Sequence, residues 1–218
     1  MKIKLFKKGL IVACLTASSF FLAAGSFANA DDPYAGLYDT LENPQPPITQ
    51  TGKVEVVEFF WYRCGHCYYL EGPLESWLKK KPDDVAFIRI PAVWPTYSWA
   101  FSAKVFYSAK ELGVLEKFHS PYFGSKHGKR QLTEGEQQLI NQVFDFFYTS
   151  DFLEPEEVER NRKLLAGKIE RAKELTKNYG VRGVPVIYVN GRYRLSPSKT
   201  GGYDKMFEIL DYLIKKAR

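Results

Sequence analysis

Two hydrophobic periods alternate along this chain. Residues 53–62 are rich in Val and aromatics, with Glu58 interrupting them, and read as the first strong strand. Residues 68–81 return to helical spacing, and Gly72-Pro73 is placed to kink that helix. Residues 85–93 read as a second strand. A helix over 98–112 is stopped by Gly113. Thr133 and Glu136 form a capping box ahead of the stripe Ile140, Val143, Phe144 and Phe147. Pro155 followed by Glu156 and Glu157 opens another helical region, which runs towards Asn178 and ends near Gly180. Residues 186–189 and 192–195 flank Asn190-Gly191, a strong hairpin signal. Met206, Ile209, Leu210 and Leu213 form the apolar face of a last helix. These stripes are core positions. Asn43-Pro44-Gln45-Pro46-Pro47 connects a short N-terminal segment to the first strand. The order strand, helix, strand, several helices, hairpin, helix predicts an α/β domain with a helical insertion between its halves.

The N-terminus changes where this domain is expected to work. Lys2, Lys4, Lys7 and Lys8 precede an apolar stretch over 9–25, and Ala28-Asn29-Ala30 is a small-residue cleavage site. This is the pattern of a secretory signal peptide over residues 1–30, too short in its apolar part for a span. A competing reading takes Ile11-Val12-Ala13-Cys14 as a lipoprotein signal with a lipid on Cys14, which leaves the apolar residues 19–24 unexplained. Cleavage lowers the formal charge from +6 to +2, because the leader carries four lysines and no acid. The basic character is thus partly the leader's, and no nucleic-acid partner is implied. Lys79-Lys80-Lys81 and the tail at 215–218 read as solvated helix ends.

The sharpest chemical signal is Cys64-Gly65-His66-Cys67, placed where the first strand gives way to a helix. Two intervening residues let one helical turn bring the sulfurs within bonding reach. At the helix N-terminus, unpaired N–H groups and the macrodipole favour a Cys64 thiolate, the species that attacks disulfides. Cys67 lies one turn further in, is expected to be more buried, and is assigned as the resolving thiol. His66 adds a donor or a positive charge. The alternatives are a plain stabilising disulfide or half a zinc site. Zinc needs more ligands, no second Cys-x-x-Cys exists, and His119 and His127 lack ligand-like spacing. No metal is expected. Once Cys14 leaves with the leader, Cys64 and Cys67 are the only cysteines. A single pair so placed suits exchange better than stapling.

The segments Glu58-Phe59-Phe60-Trp61-Tyr62-Arg63-Cys64-Gly65-His66-Cys67 and Arg182-Gly183-Val184-Pro185-Val186-Ile187-Tyr188-Val189-Asn190-Gly191-Arg192-Tyr193 resemble the two signature segments of the DsbA family of periplasmic thiol:disulfide oxidoreductases. The resemblance implies a thioredoxin fold with an inserted helical domain between the second strand and a cis-proline hairpin. It divides the chain into leader 1–30, thioredoxin-fold halves 31–96 and 161–218, and an insertion over 97–160. It also implies that Pro185 is cis and faces the cysteines, and that Val184 offers its backbone to an extended substrate strand. Glu58 matches a buried acid beneath the active site, which would accept or relay the Cys67 proton through water; strand alternation alone would point it to solvent. Glu71 and Arg89 fall where the family places charges near the site. Gly65 departs from the family, which typically has Pro there; Cys-Gly-His-Cys is the pair of protein disulfide isomerase domains, so the potential is not carried over.

The implied reaction is donation of the Cys64–Cys67 disulfide to newly exported proteins, with no cofactor beyond that pair. A Cys64 pKa of about 4 instead of about 8.5 would favour the thiolate by roughly 4 kcal/mol at pH 7 and raise the potential by roughly 90 mV. Gly65 is expected to give back part of this, and Arg63 and His66 to support it. Exposed members of the set Phe60, Trp61, Tyr62, Tyr68 and Tyr69 would offer an apolar surface to unfolded clients. Expected partners are partly folded exported proteins and a DsbB-like inner-membrane reoxidase, with the chain itself a monomer in the periplasm. Two rivals share these residues: a reductase or isomerase kept reduced by a partner, and a non-enzymatic client-binding chaperone.

Overall fold

The computed structural model describes residues 32–95, 97–148 and 154–218. The expected leader, its cleavage site and Cys14 lie outside the described residues. Residues from Tyr34 to Arg218 form one compact unit. Its elements are β1 (Asp39–Thr40), β2 (Val54–Phe60), α1 (Gly65–Leu78), β3 (Val85–Pro91), α2 (Tyr97–Glu111), α3 (Leu115–Lys126), α4 (Glu134–Tyr148), α5 (Pro155–Asn178), β4 (Val186–Val189), β5 (Tyr193–Leu195), α6 (Pro197–Thr200) and α7 (Tyr203–Lys216).

All seven residues of β2 are buried, because helices cover both faces of the sheet and β4 and β3 flank the strand. The strand order is β1-β5-β4-β2-β3, with β2 and β3 parallel and the other pairs antiparallel. Alternation sorts the side chains. Val54, Val56, Ile187 and Val189 pack with Leu70, Leu74 and Trp77 of α1 and with α7. Val57, Phe59, Val186 and Tyr188 face α2 and α5 through Ala103, Ala172 and Leu175. A third cluster joins Phe60, Tyr62 and Cys67 to α2, α3 and α4. The α/β arrangement with helices between the second long strand and the hairpin is therefore present. The helix α5 is continuous across residue 160, and its C-terminal part is pinned to the sheet: Thr176 Oγ1 accepts from Val93 N at 3.1 Å.

Local rules account for most boundaries. Thr133 and Glu136 exchange side-chain–backbone hydrogen bonds at 2.9 and 3.3 Å, the reciprocal cap of α4. Pro155 opens α5 at a position where its missing N–H costs nothing. Asn190 (φ 47°) and Gly191 (φ 61°) make the hairpin turn. Gly191 is doubly constrained, since a Cβ there would lie 2.3 Å from the Gln45 carbonyl oxygen. That approach lets Gln45 N donate to Gly191 O and seats the Pro-rich connector against the hairpin.

Several expectations need correction. The second strand stops at Pro91 rather than 93, and the hairpin's second strand starts at Tyr193. The helix α1 ends at Leu78 rather than 81, with Gly72-Pro73 inside it. Three elements were not anticipated: β1, α6 and the twelve-residue α3. Pro121 and Gly124 hide α3 from a periodicity reading, yet it buries Phe118, His119, Tyr122 and Phe123.

Candidate active site

The end of β2 and the start of α1 set the two thiols. Cys64 N donates to Trp61 O at 2.9 Å, which closes a turn after the strand. Cys64 then becomes the N-cap of α1, with extended φ/ψ, and its sulfur accepts from Cys67 N at 3.3 Å. The sulfur thus takes the place of the capping oxygen that Ser or Asp normally supplies. Gly65 is the first helical residue, and a Cβ there would meet nothing within 4 Å.

The two sulfurs have opposite environments. Cys64 is half-buried and Cys67 is fully buried. The Cys64 pKa falls from 9.0 to about 6. The largest cause is a hydrogen bond from the Cys67 side chain; partial burial opposes it, and the backbone N–H groups of Cys67 and His66 and the His66 charge assist. Burial pushes the Cys67 thiol well up, and the neighbouring Cys64 and Glu58 charges push the same way. His66 is exposed and is held through its carbonyl, which accepts from Tyr203 OH at 3.0 Å. Arg63, expected beside the thiolate, lies with its guanidinium 5.9 Å over the Trp61 ring.

The loop ahead of β4 meets the motif from the other half of the fold. The Val184–Pro185 peptide is cis, and Cys64 Sγ lies 3.4 Å from Val184 O. Beside this contact a cleft of about 450 Å³ is lined by His66, Val184, Pro185, Ser196 and Tyr203, among others.

Beneath Cys67 lies a buried charge cluster. Glu58 and Arg89 are register partners on parallel strands, and Arg89 Nε donates to Glu58 Oε2 at 2.7 Å. Arg89 Nη2 also reaches Glu71 Oε2 at 3.2 Å. His119 Nε2 lies 3.3 Å from the same Glu71 oxygen, and its Nδ1 is 2.8 Å from Tyr62 OH. Burial drives His119 towards the neutral form, its pKa well below the ordinary value. Two carboxyls therefore share one guanidinium, and ionising both would leave an excess buried negative charge. Accordingly, burial raises the pKa of Glu58 and of Glu71, against the pull of Arg89. Glu58 Oε1 and Glu71 Oε1 have no partner among the described residues, which leaves each able to carry a proton.

The sequence-derived residues Cys64, Gly65, His66, Cys67, Glu58, Val184 and Pro185 thus converge at one place. Glu71 and Arg89 join Glu58 rather than Cys64. Sequence reasoning missed His119, set aside for lack of ligand-like spacing, and Trp94 and Trp99. A helix hidden by a proline carries the first, and an irregular segment after β3 leads to the others.

No family model matches the chain. Curated relatives do. A thiol:disulfide interchange protein DsbA of Pseudomonas aeruginosa is 34% identical over 217 residues, covering 96% of each chain. That of Pseudomonas syringae pv. tomato is 36% identical over 96% of this chain and 95% of its own. The crystal structure of Pseudomonas aeruginosa DsbA superposes with a TM-score of 0.67 at 32% identity, covering 84% of this chain and 93% of that one. The oxidoreductase DsbA from Xylella fastidiosa gives 0.65 at 25% identity, covering 83% and 95%.

Proposed function

This chain belongs to the DsbA family of thiol:disulfide interchange proteins, and from that premise we propose that it oxidises cysteine pairs of newly exported proteins in the periplasm, with Cys64 as the exchanging thiol and Cys67 as the resolving one. The observation that carries the reading is the pairing of a half-exposed, low-pKa Cys64 with a buried, high-pKa Cys67 one helical turn away.

A client thiolate attacks Cys64 Sγ of the disulfide. The Cys64–Cys67 bond breaks, a client–Cys64 bond forms, and Cys67 leaves with the electron pair and takes a proton. A second client thiolate then attacks the client sulfur, and Cys64 departs as a thiolate. The client has lost two electrons and the enzyme is a dithiol. The low Cys64 pKa makes it the better leaving group in the second step. Glu58, a buried carboxyl with a raised pKa, supplies the proton that Cys67 needs in the first step and takes it back on reoxidation. Backbone pairing at Val184, beside cis-Pro185, holds the client strand while its sulfur meets Cys64. Gly65 and His66 tune the thiolate.

The same reading places a cleaved leader over 1–30, an inserted helical domain over 97–160 between thioredoxin-fold parts 31–96 and 161–218, a monomer in the periplasm, and reoxidation by a quinone-linked inner-membrane protein of the DsbB type. Cys64→Ser is expected to abolish oxidation of a reduced client, measured as regain of its native disulfides. Cys67→Ser is expected to accumulate a mixed disulfide through Cys64. A Cys64→Ser protein that still promoted client folding would favour the chaperone alternative instead.

A further inference from the structure

A second cleft, of about 420 Å³, adjoins the first and shares Gly183 and Val184 with it. It is lined by Trp61, Trp94, Trp99, Arg182, Val184 and Cys64 itself. Three of the chain's four tryptophans meet here, whereas Trp77 belongs to the core. Trp61 and Trp99 stack with ring centroids 3.8 Å apart and an interplanar angle of 24°. Trp94 meets Trp99 edge-on at 4.3 Å. All three remain half-buried, so indole surface is open to solvent beside the reacting sulfur. Arg182 is exposed at this cleft, and the exposed Arg63 lies over Trp61.

The position of Cys64 decides what occupies the cleft. Any client that forms the mixed disulfide brings its own sulfur to Cys64 Sγ, so the residues flanking its cysteine must run through the space around Val184. In an extended strand, alternate side chains share a face and lie about 7 Å apart. The residue two positions from the client cysteine therefore points the same way as that cysteine and reaches the neighbouring cleft. An aromatic ring meets indole faces there, and a lysine or arginine meets the Arg182 cation. Resting on the oxidase reading above, we propose that the cleft formed by Trp61, Trp94, Trp99 and Arg182 is a specificity subsite for an aromatic residue two positions from the client's reacting cysteine, and that it disfavours a basic residue there.

The test uses reduced peptides with one cysteine and Phe, Ala or Lys two positions before or after it. Glutathione, which has no such residue, is the reference thiol. Second-order rates with the disulfide form are divided by the same enzyme's rate with glutathione. The expected order is Phe above Ala above Lys on at least one side of the cysteine, with Phe about tenfold over Ala. Trp94→Ala is expected to shrink the Phe advantage to about twofold, and Arg182→Ser to lift the Lys peptide towards the Ala peptide. Trp94 is chosen because Trp99 also supports Trp61; thermal unfolding checks that each variant is folded. Equal normalised rates for all three residues on both sides, or a Phe advantage that survives Trp94→Ala in a folded protein, would overturn the subsite. A wild-type disulfide that does not oxidise glutathione at all would overturn the oxidase reading itself.

Discussion

Two thiols three residues apart are pushed in opposite directions, and the residues that do this differ for each. Cys64 gains hydrogen bonds from Cys67 and from the first N–H groups of the helix, which lower its pKa to about 6. Cys67 loses water and faces the Glu58 and Cys64 charges. Glu58 is therefore the residue we propose as the proton partner of Cys67. Glu58→Gln keeps the hydrogen-bonding shape towards Arg89 but cannot exchange a proton. It is expected to slow the first exchange step by about 100-fold, read by stopped-flow with a reduced peptide, and to flatten its pH dependence. A rate within twofold of wild type would remove Glu58 from the mechanism. The cysteines and His66 stood out in sequence because their motif is local, whereas Val184, Pro185 and Glu58 were named only through the family resemblance. Glu58 and Arg89 pair only through strand register, and His119 reaches Glu71 only through tertiary packing, so no spacing along the chain announces that cluster.

Among elements, α1 carries the chemistry at its first turn. Gly65 occupies the first helical position, where a Cβ would meet nothing within 4 Å, and the N–H groups that stabilise Cys64 come from His66 and Cys67, not from Gly65. Gly65→Pro removes unfolded-state freedom and no needed donor. It is expected to stabilise the protein by about 0.5–1 kcal/mol, measured by urea unfolding. A destabilised variant would show that the first helical residue is not in a proline-compatible conformation. Elements with a strong local signature were visible beforehand: the Asn190-Gly191 hairpin, the Thr133–Glu136 cap, and the apolar face of α7. The helix α3 was not, since Pro121 breaks its pattern while burial of Phe118, Tyr122 and Phe123 holds it in place. Each such fully buried aromatic contributes about 1.5–3 kcal/mol, enough to override a helix-breaking residue. β1 has only two residues and depends on its partner β5.

For the whole molecule, the Cys64 shift links redox state, pH and stability. The folded pKa lies below the unfolded value, so the dithiol form gains stability as pH rises from about 6 towards 9 and loses it as pH falls through 6. The disulfide form has no such thiolate. The unfolding free energy of the reduced protein relative to the oxidised one is thus expected to rise between pH 6 and 8, measured by denaturant titration of both forms. A flat difference would contradict the depressed Cys64 pKa. With a pKa of about 6 in place of 9.0, thiolate stabilisation at pH 7 is at most about 1.4 kcal/mol before solvent screening, or about 30 mV. This is smaller than the roughly 90 mV that a pKa near 4 would give. The rest of any oxidising drive must lie in the disulfide form.

The most direct measurement is the equilibrium of the Cys64–Cys67 pair with a glutathione redox buffer at pH 7. A potential well above that of glutathione is the result this account predicts, and it would mark a donor of disulfides. A potential near that of thioredoxin, about −270 mV, would contradict it and indicate a reductase supplied with electrons by a partner.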